Sequence, residues 1–190
     1  MYPFLLHGFG KINYVSGDVY EGDWIDNMRS GLGKYQTKDG DIYDGQWLNN
    51  KKINQGIMTY KNGERYEGEW KNNYKNGLGS FHYSNGQKYV GQWDKDKRNG
   101  EGTLFNSENN ILQKGKYNED KFIEGYSNSK YLYANGNTYD GELDNYLPHG
   151  YGTIYNKENK IVSKGKFQKN LKTGLFLEQE GNTYDLVDYV

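Results

Sequence analysis

The fold is decided by residues 66–86, which read YEGEWKNNYKNGLGSFHYSNG. In Tyr66–Trp70, aromatic residues and glycine alternate with charged residues, and this period of two predicts a β-strand. Gly77–Tyr83 alternates in the same way, so we expect a hairpin whose two strands are joined by a polar loop of six residues. Asn85 and Gly86 then reverse the chain, because an Asn-Gly pair suits a tight turn that needs positive φ.

This hairpin is one unit of a repeat with a period of 23 residues. Tyrosine, tryptophan and glycine recur at this spacing in six columns, and Asn54 stands where one column would have glycine. Three of the columns are Tyr20, Tyr43, Tyr66 and Tyr89; Gly22, Gly45, Gly68 and Gly91; and Trp24, Trp47, Trp70 and Trp93. The sequence therefore predicts one repeat array over residues 1–190, with regular units over about 17–105.

Degenerate units follow over about residues 106–185. Gly141, between Tyr139 and Leu143, marks a clean unit, whereas Gly181 begins an incomplete one. Residues 100–106 resemble residues 150–156, and this offset of 50 residues indicates that a block of two hairpins was duplicated.

The composition indicates how so polar a chain folds. Only 34% of the residues are hydrophobic and the mean hydropathy is −1.10, yet 16% are aromatic, including 20 tyrosines. Aromatic rings bury large areas, and a ring can lie across the bare backbone of a glycine in the neighbouring strand. We therefore predict an all-β fold, an elongated, twisted, single-layer antiparallel sheet of stacked β-hairpins.

The same composition disfavours several classes of function. The chain has no cysteine, which favours a reducing, cytoplasmic compartment and leaves no thiolate metal site. A net charge of −1 gives no global attraction for nucleic acid. His7 and His149 occupy the same position in separate repeats, so a repeat role is favoured over a metal pair, and no catalytic constellation can be assembled. We predict no enzyme, no cofactor, no metal and no nucleic-acid partner.

The motif Tyr-x-Gly-x-Trp, followed by Gly-x-Gly, an aromatic residue and a glycine turn, resembles the MORN (membrane occupation and recognition nexus) repeat. The match is close in Tyr43–Trp47 and Tyr66–Trp70, and it covers about residues 7–185. The resemblance implies a scaffold, since members of that family sit in ciliary radial spokes, in cytoskeletal rings and at membrane junctions. Some bind a partner helix in the groove of the sheet, and some have been proposed to bind phosphoinositides.

One candidate site is the aromatic stripe of the regular repeats. An open, concave stripe on a single-layer sheet would fit a partner helix or peptide. Alternatively, the rings cover one another and the glycines, which leaves little free surface. The residues of this aromatic stripe are Tyr20, Trp24, Tyr43, Trp47, Tyr66, Trp70, Tyr89 and Trp93.

Two sets of charged residues are further candidates. Acidic residues on the opposite face suit a cation or a basic partner, or simply a solvated face; they are Glu21, Asp23, Asp44, Glu67, Glu69, Asp140 and Glu142. Basic residues in the loops after the tryptophans would line one edge and could contact anionic lipid headgroups. They are Lys51, Lys52, Lys71, Lys75, Lys95, Lys97 and Arg98, alongside Arg29.

We therefore expect a non-catalytic structural protein that binds partner proteins along the aromatic-lined sheet. The expected setting is a cytoskeletal or ciliary assembly such as an axonemal radial spoke, with the chain a subunit of a larger complex or a homodimer. The alternative is a peripheral membrane tether that binds anionic phospholipids through basic hairpin loops.

Overall fold

The computed structural model describes residues 5–127, 130–180 and 183–189. Over these residues the fold is all-β, without helices, and antiparallel hairpins follow one another as the sequence predicts. The chain divides into two compact units, one ending at Asn110 and the other beginning at Ile111. Within each unit consecutive strands pair with each other. The incomplete repeat expected at Gly181 lies partly outside the described residues.

The first unit follows the predicted period strand by strand. Its outgoing strands begin at residues 19, 42, 65 and 88 and carry the motif with tyrosine, glycine and tryptophan; the return strands begin at 28, 51, 74 and 97. The bounds are β1 Gly8–Asn13, β2 Val19–Ile25, β3 Met28–Gln36, β4 Ile42–Leu48, β5 Lys51–Thr59, β6 Arg65–Lys71, β7 Tyr74–His82, β8 Lys88–Asp94 and β9 Lys97–Phe105.

The second unit retains the hairpins but not the regular spacing. Its strands are β10 Ile111–Asn118, β11 Lys121–Ser127, β12 Lys130–Leu132, β13 Thr138–Asp144, β14 Leu147–Tyr155, β15 Ile161–Gln168, β16 Leu171–Glu180 and β17 Thr183–Tyr189. The starts of β14, β15 and β16 follow those of β9, β10 and β11 by 50 residues, as expected from the similarity between residues 100–106 and 150–156.

The predicted six-residue loop is wrong. In the hairpin quoted first, β6 continues to Lys71 and β7 begins at Tyr74, so Asn72 and Asn73 alone form the turn. Both have positive φ, 51° and 76°, as a type I′ turn requires. Asparagine tolerates this conformation better than most residues, and the twist of a type I′ turn matches the twist of the strands. The polar residues on either side of the turn therefore belong to the two strands and not to a loop.

The predicted glycine turns are confirmed. Gly17, Gly40, Gly63 and Gly86 have φ between 83° and 103°. In each turn the glycine N–H donates to the carbonyl oxygen three residues earlier, at 2.9–3.0 Å.

Asn54 replaces a glycine without changing the backbone. Its φ is 50°, whereas Gly31 and Gly77 at the equivalent positions have φ of 72° and 68°. Asn54 lies in a bulge of β5, since Gly45 pairs with Gly56 and the next residue, Gln46, pairs with Ile53. The Asn54 side chain donates from Nδ2 to Gln46 Oε1 at 2.9 Å, which joins this bulge to β4.

Candidate functional site

The tyrosine and tryptophan columns of the first unit form a continuous ladder on one face. Each tyrosine meets the tryptophan four residues later edge-on, with ring centroids 5.0–5.2 Å apart. Each of the first three tyrosines also meets the tryptophan of the next repeat at 5.2–5.5 Å. Edge-to-face pairs of this kind are favourable beyond their area burial, so the ladder joins each repeat to the next.

The polar atoms of these rings are bound to backbone carbonyls. Each tyrosine hydroxyl donates to the carbonyl oxygen three residues later at 2.9–3.2 Å. Each tryptophan Nε1 donates to a glycine carbonyl oxygen 14 residues earlier at 2.8–3.3 Å. Every tryptophan is thereby tied to the backbone of the preceding repeat.

The paired glycines make room for the tyrosine rings. Gly45 and Gly56 lie opposite each other in β4 and β5. A Cβ on Gly56 would lie 2.6 Å from two ring carbons of Tyr43, closer than real Cβ atoms come to other atoms. Glycine is required here for close packing of the ring on the backbone.

The ladder buries its own rings. All eight residues of the aromatic stripe are at most 5% exposed. The rings therefore cover one another and the glycines, which is the second of the two alternatives given above for this stripe. A role of the stripe in partner binding stays a prediction. On this face, the half-buried side chains of Tyr35, Met58 and Tyr60 offer more surface to a partner than the ladder itself.

A second column on the same face was missed by sequence reasoning. Opposite each tryptophan of the ladder, the paired residue of the return strand is a cation. Its charged group lies over aromatic rings, with a ring centroid 4.4–5.6 Å away in each case. We call these residues the cation column; they are Arg29, Lys52, Lys75 and Arg98.

The basic residues that were predicted to line one edge lie on both faces of the sheet. Lys52, Lys75 and Arg98 lie over the ladder, whereas Lys51, Lys71 and Lys97 are exposed and alternate onto the opposite face. Lys95 lies in a two-residue turn. The interpretation of these residues as one basic loop edge is wrong, because two-residue turns place most of them within strands. Lipid contact by the exposed residues stays a prediction.

A cleft of about 260 Å³ lies between the first two cations of the column. Its walls include the rings of Tyr35, Tyr43 and Trp47 together with Arg29 and Lys52. The remaining lining residues are Thr37, Asp41, Asn50, Met58 and Asn73. The cleft therefore combines apolar ring surface with two positive groups.

Burial and one hydrogen bond shift the pKa values of residues in and beside the cleft. Burial lowers the pKa of Lys52 from its usual 10.5, because the charged ammonium has lost water. Burial also raises the pKa of Tyr35 to about 12, and its hydrogen bond to Asp18 adds to this shift. That same bond, 2.7 Å from Tyr35 Oη to Asp18 Oδ2, lowers the pKa of Asp18.

Six of the seven acidic residues predicted on the opposite face accept hydrogen bonds or form ion pairs. Asp23 and Glu69 accept hydrogen bonds from the backbone N–H groups of Leu32 and Leu78, at 3.0 and 2.9 Å. Glu142 accepts one from Tyr151 at 3.3 Å.

Three further acids of this face are near cations; the ion pairs are Lys11 with Glu21 at 3.3 Å, Arg65 with Glu67 at 2.7 Å, and Lys130 with Asp140 at 3.2 Å. Among the described residues, no group of three or more His, Asp or Glu side chains could hold a metal ion. These contacts favour a solvated, internally paired face.

The second unit has its own aromatic ladder. Tyr139, Phe167, Phe176 and Tyr189 follow one another with ring centroids 4.7–5.4 Å apart. The Tyr139 hydroxyl donates to the backbone carbonyl of His149 at 2.7 Å. His149 thus takes part in the ladder through its backbone, which agrees with a repeat role.

Comparison with known proteins identifies the repeats. The family model described as MORN repeat matches residues 5–19, 20–42, 43–65, 66–88, 89–108 and 139–156. These matches cover more than half of the chain. The chain belongs to the MORN repeat family. Family membership indicates a protein- or membrane-binding module of a generally non-catalytic kind, found in cytoskeleton- and membrane-associated proteins.

No curated protein matches the chain. The solved structures that match the chain include the SAS-4 (dCPAP) TCP domain of Drosophila melanogaster in complex with a proline-rich motif of Ana2 (dSTIL), and the E1021V mutant of the TCP10 domain of Danio rerio CPAP. The first is 12% identical with a TM-score of 0.39, and 85% of this chain and 72% of that one are covered. The second is 13% identical with a TM-score of 0.32, and 84% and 90% are covered.

The part of the chain that the structure describes contains no helix that could span a membrane.

Proposed function

We propose that this MORN protein is a non-catalytic scaffold that binds partner proteins on the aromatic face of its first unit, within a cytoskeletal or ciliary assembly. The observation that carries this proposal is the cleft between Arg29 and Lys52. Its walls of aromatic rings and cations combine apolar area with polar groups that can orient a partner. The expected location is cytoplasmic, at the cytoskeleton or the axoneme of a cilium or flagellum.

Lysine footprinting in native extracts tests this proposal. The full chain would be captured with its partners, and its lysines would be modified by an amine-reactive label and read by mass spectrometry. We expect partners to protect Lys52 from the label while Lys51, the adjacent residue on the other face, stays reactive. Recovery of cytoskeletal or axonemal proteins would support the location. Equal reactivity of Lys52 with and without partners would contradict binding on this face.

A second candidate function is a peripheral membrane tether. The exposed residues Lys51, Lys71, Lys95 and Lys97 all lie at or beside the two-residue turns, and near a membrane each cation contributes about 1 kcal/mol. Sedimentation with phosphoinositide vesicles tests this function, and the expected binding weakens as salt rises. Absence of vesicle binding at low salt would exclude it.

Whether the chain is a homodimer or a subunit of a larger complex is decided by light scattering of the purified chain and of the captured assembly.

A further inference from the structure

The cation column is the feature of the aromatic face that packing alone does not account for. Lys52 Nζ lies 4.9 Å from the ring centroids of both Tyr43 and Trp70. Arg29 Cζ lies 4.4 Å from Trp47 and 5.0 Å from Tyr35. Cation–π contacts stabilise these charges in part, but a half-buried cation is stabilised further by an anion that it can reach.

Within the described residues, no carboxylate lies within 4 Å of Arg29 or Lys52. Arg29 donates from Nε and Nη2 to Asn50, at 3.3 and 3.4 Å, and a guanidinium has five N–H donors. The acids near these cations accept hydrogen bonds from other groups. Asp41 lines the cleft but accepts from the backbone N–H of Lys61 at 2.9 Å, and Asp18 accepts from Tyr35. Asp96, whose negative charge also acts on Lys52, accepts from the backbone N–H of Lys75 at 2.8 Å. Both cations therefore keep donors for an anion from outside.

The strand geometry sets the spacing of such anions. Arg29 in β3 and Lys52 in β5 occupy the same position two strands apart, which corresponds to about 10 Å at the usual strand separation. The backbone N–H and C=O groups between these two residues are already paired within the sheet, β3 with β4 and β4 with β5. An incoming segment must then satisfy its own backbone, as a helix does. Residues seven apart in a helix are separated by about 10.5 Å along its axis.

We propose that the aromatic face of the first unit selects an acidic partner helix, whose Asp or Glu side chains, seven residues apart, pair with Arg29 and Lys52. This inference rests on the proposed function and adds the chemistry of the partner to it. Tyr35 and Met58, the half-buried side chains of the cleft, contact the apolar side chains of the helix between its carboxylates. Each carboxylate replaces part of the hydration that burial has removed from a cation, and the lowered pKa of Lys52 agrees with such a requirement.

The test uses the purified full chain and three helical peptides of 21 residues. The first has glutamate at every seventh position and leucine on the same side; the second has glutamine and the third lysine in place of glutamate. Affinity is measured by calorimetry at low and high salt. We expect the glutamate peptide to bind about tenfold more tightly than the glutamine peptide, and the difference to shrink at high salt.

Variants of two adjacent lysines locate the effect. Lys52→Met retains most of the side-chain stem over the rings but removes the charge, and it should abolish the preference for glutamate over glutamine, as should Arg29→Met. Lys52→Arg should retain the preference. Lys51→Met removes the same charge one residue away on the opposite face and should leave the preference unchanged. Thermal melts show whether each variant is folded.

Several outcomes would overturn the inference. They are equal affinity for the glutamate and glutamine peptides, no binding of the glutamate peptide, and an equal effect of Lys51→Met and Lys52→Met. Binding to phosphatidylserine vesicles that Lys52→Met abolishes, without peptide binding, would mean that the cations bind lipid instead. If partners in extracts protect Lys52 but the preference for glutamate over glutamine is absent, the proposed function stands and only the acidic character proposed for the partner helix is wrong.

Discussion

The two units use the same backbone device but present different chemistry. In both, a tyrosine ring lies over a pair of glycines, Tyr43 over Gly45 and Gly56 in the first unit and Tyr139 over Gly141 and Gly152 in the second. The first unit places a cation opposite every tryptophan of its ladder. In the second unit the equivalent pairs are Tyr117 with Phe122, Leu143 with Pro148, and Phe167 with Lys172.

The cation that remains in the second unit is compensated within the chain. Lys172 lies over the rings of Phe176 and Tyr189 and forms a close ion pair with Glu178. Tyr189 Oη also donates to Glu178, at 2.9 Å. Lys172 thus has a carboxylate partner within its own unit, whereas Arg29 and Lys52 in the first unit have cation–π contacts without a carboxylate partner among the described residues. Two repeats with the same backbone arrangement can therefore differ in whether their cations are available to a charged partner.

The largest expected effect is alkaline unfolding, which tests what the units share. Burial raises the pKa of Tyr20 and of Tyr139 from 10.0 to about 12. Because their pKa values are higher in the folded chain, these groups contribute stability below pH 10 that is lost as the pH rises toward 12. We expect both units to unfold in this window, measured by tyrosinate absorbance and circular dichroism. Gradual tyrosine ionisation near pH 10 with the strand signal intact would contradict burial of the ladders.

Filling a glycine under a tyrosine should come next. Gly56→Ala would place a Cβ against the Tyr43 ring and is expected to lower the free energy of unfolding by about 3 kcal/mol. Gly152→Ala should have a similar effect against Tyr139. The control is Gly63→Asn, since a Cβ there meets nothing within 4 Å and asparagine tolerates its positive φ. Denaturant melts measure all three, and loss of stability confined to one unit would break the equivalence.

Truncating the position that differs between the units sharpens the comparison. Trp47 is 3% exposed and donates to the Gly33 carbonyl at 2.8 Å, so Trp47→Leu should lower the free energy of unfolding by about 3 kcal/mol. Leu143, the half-buried equivalent in the second unit, has no such donor, and Leu143→Ala should cost about 2 kcal/mol. Equal or reversed losses in denaturant melts would show that the tryptophan does not strengthen the first ladder.

The smallest expected effect concerns the internal ion pair of the second unit. Burial raises the pKa of Glu178, but hydrogen bonds from Lys172 and Tyr189 outweigh it and hold the pKa below its usual 4.5. A lowered pKa contributes stability above pH 4.5 that is lost as the pH falls through the folded value. Glu178→Gln should therefore flatten the dependence of the melting temperature on pH below 4.5. An unchanged pH dependence in this variant would show that the pair adds nothing.

Much of the fold could be predicted from local pattern. The period-two alternation and the spacing of Tyr43, Gly45 and Trp47 require strands with one aromatic face, and Gly40 and Gly63 mark turns that need positive φ. The hairpin connection was predicted wrongly because Asn72 and Asn73 resemble a loop by composition. Their left-handed conformation depends on the pairing of the strands that they join.

The candidate site was predicted only in part for the same reason. The ladder residues were found, but Lys51 and Lys52 look alike in sequence, and a shift of one residue places a side chain on the opposite face. Only the pairing of Trp47 with Lys52 shows which lysine lies over the rings.

The sequence by itself determined the repeat, the strand type, the glycine turns and the aromatic face, because each follows from spacing along one strand. The tertiary structure alone decided the burial of the ladder and the assembly of the cation column. Both depend on contacts between neighbouring repeats, where Tyr43 meets Trp70 and Lys52 reaches both rings. Such contacts join residues that are distant in sequence, and the turn length sets their register.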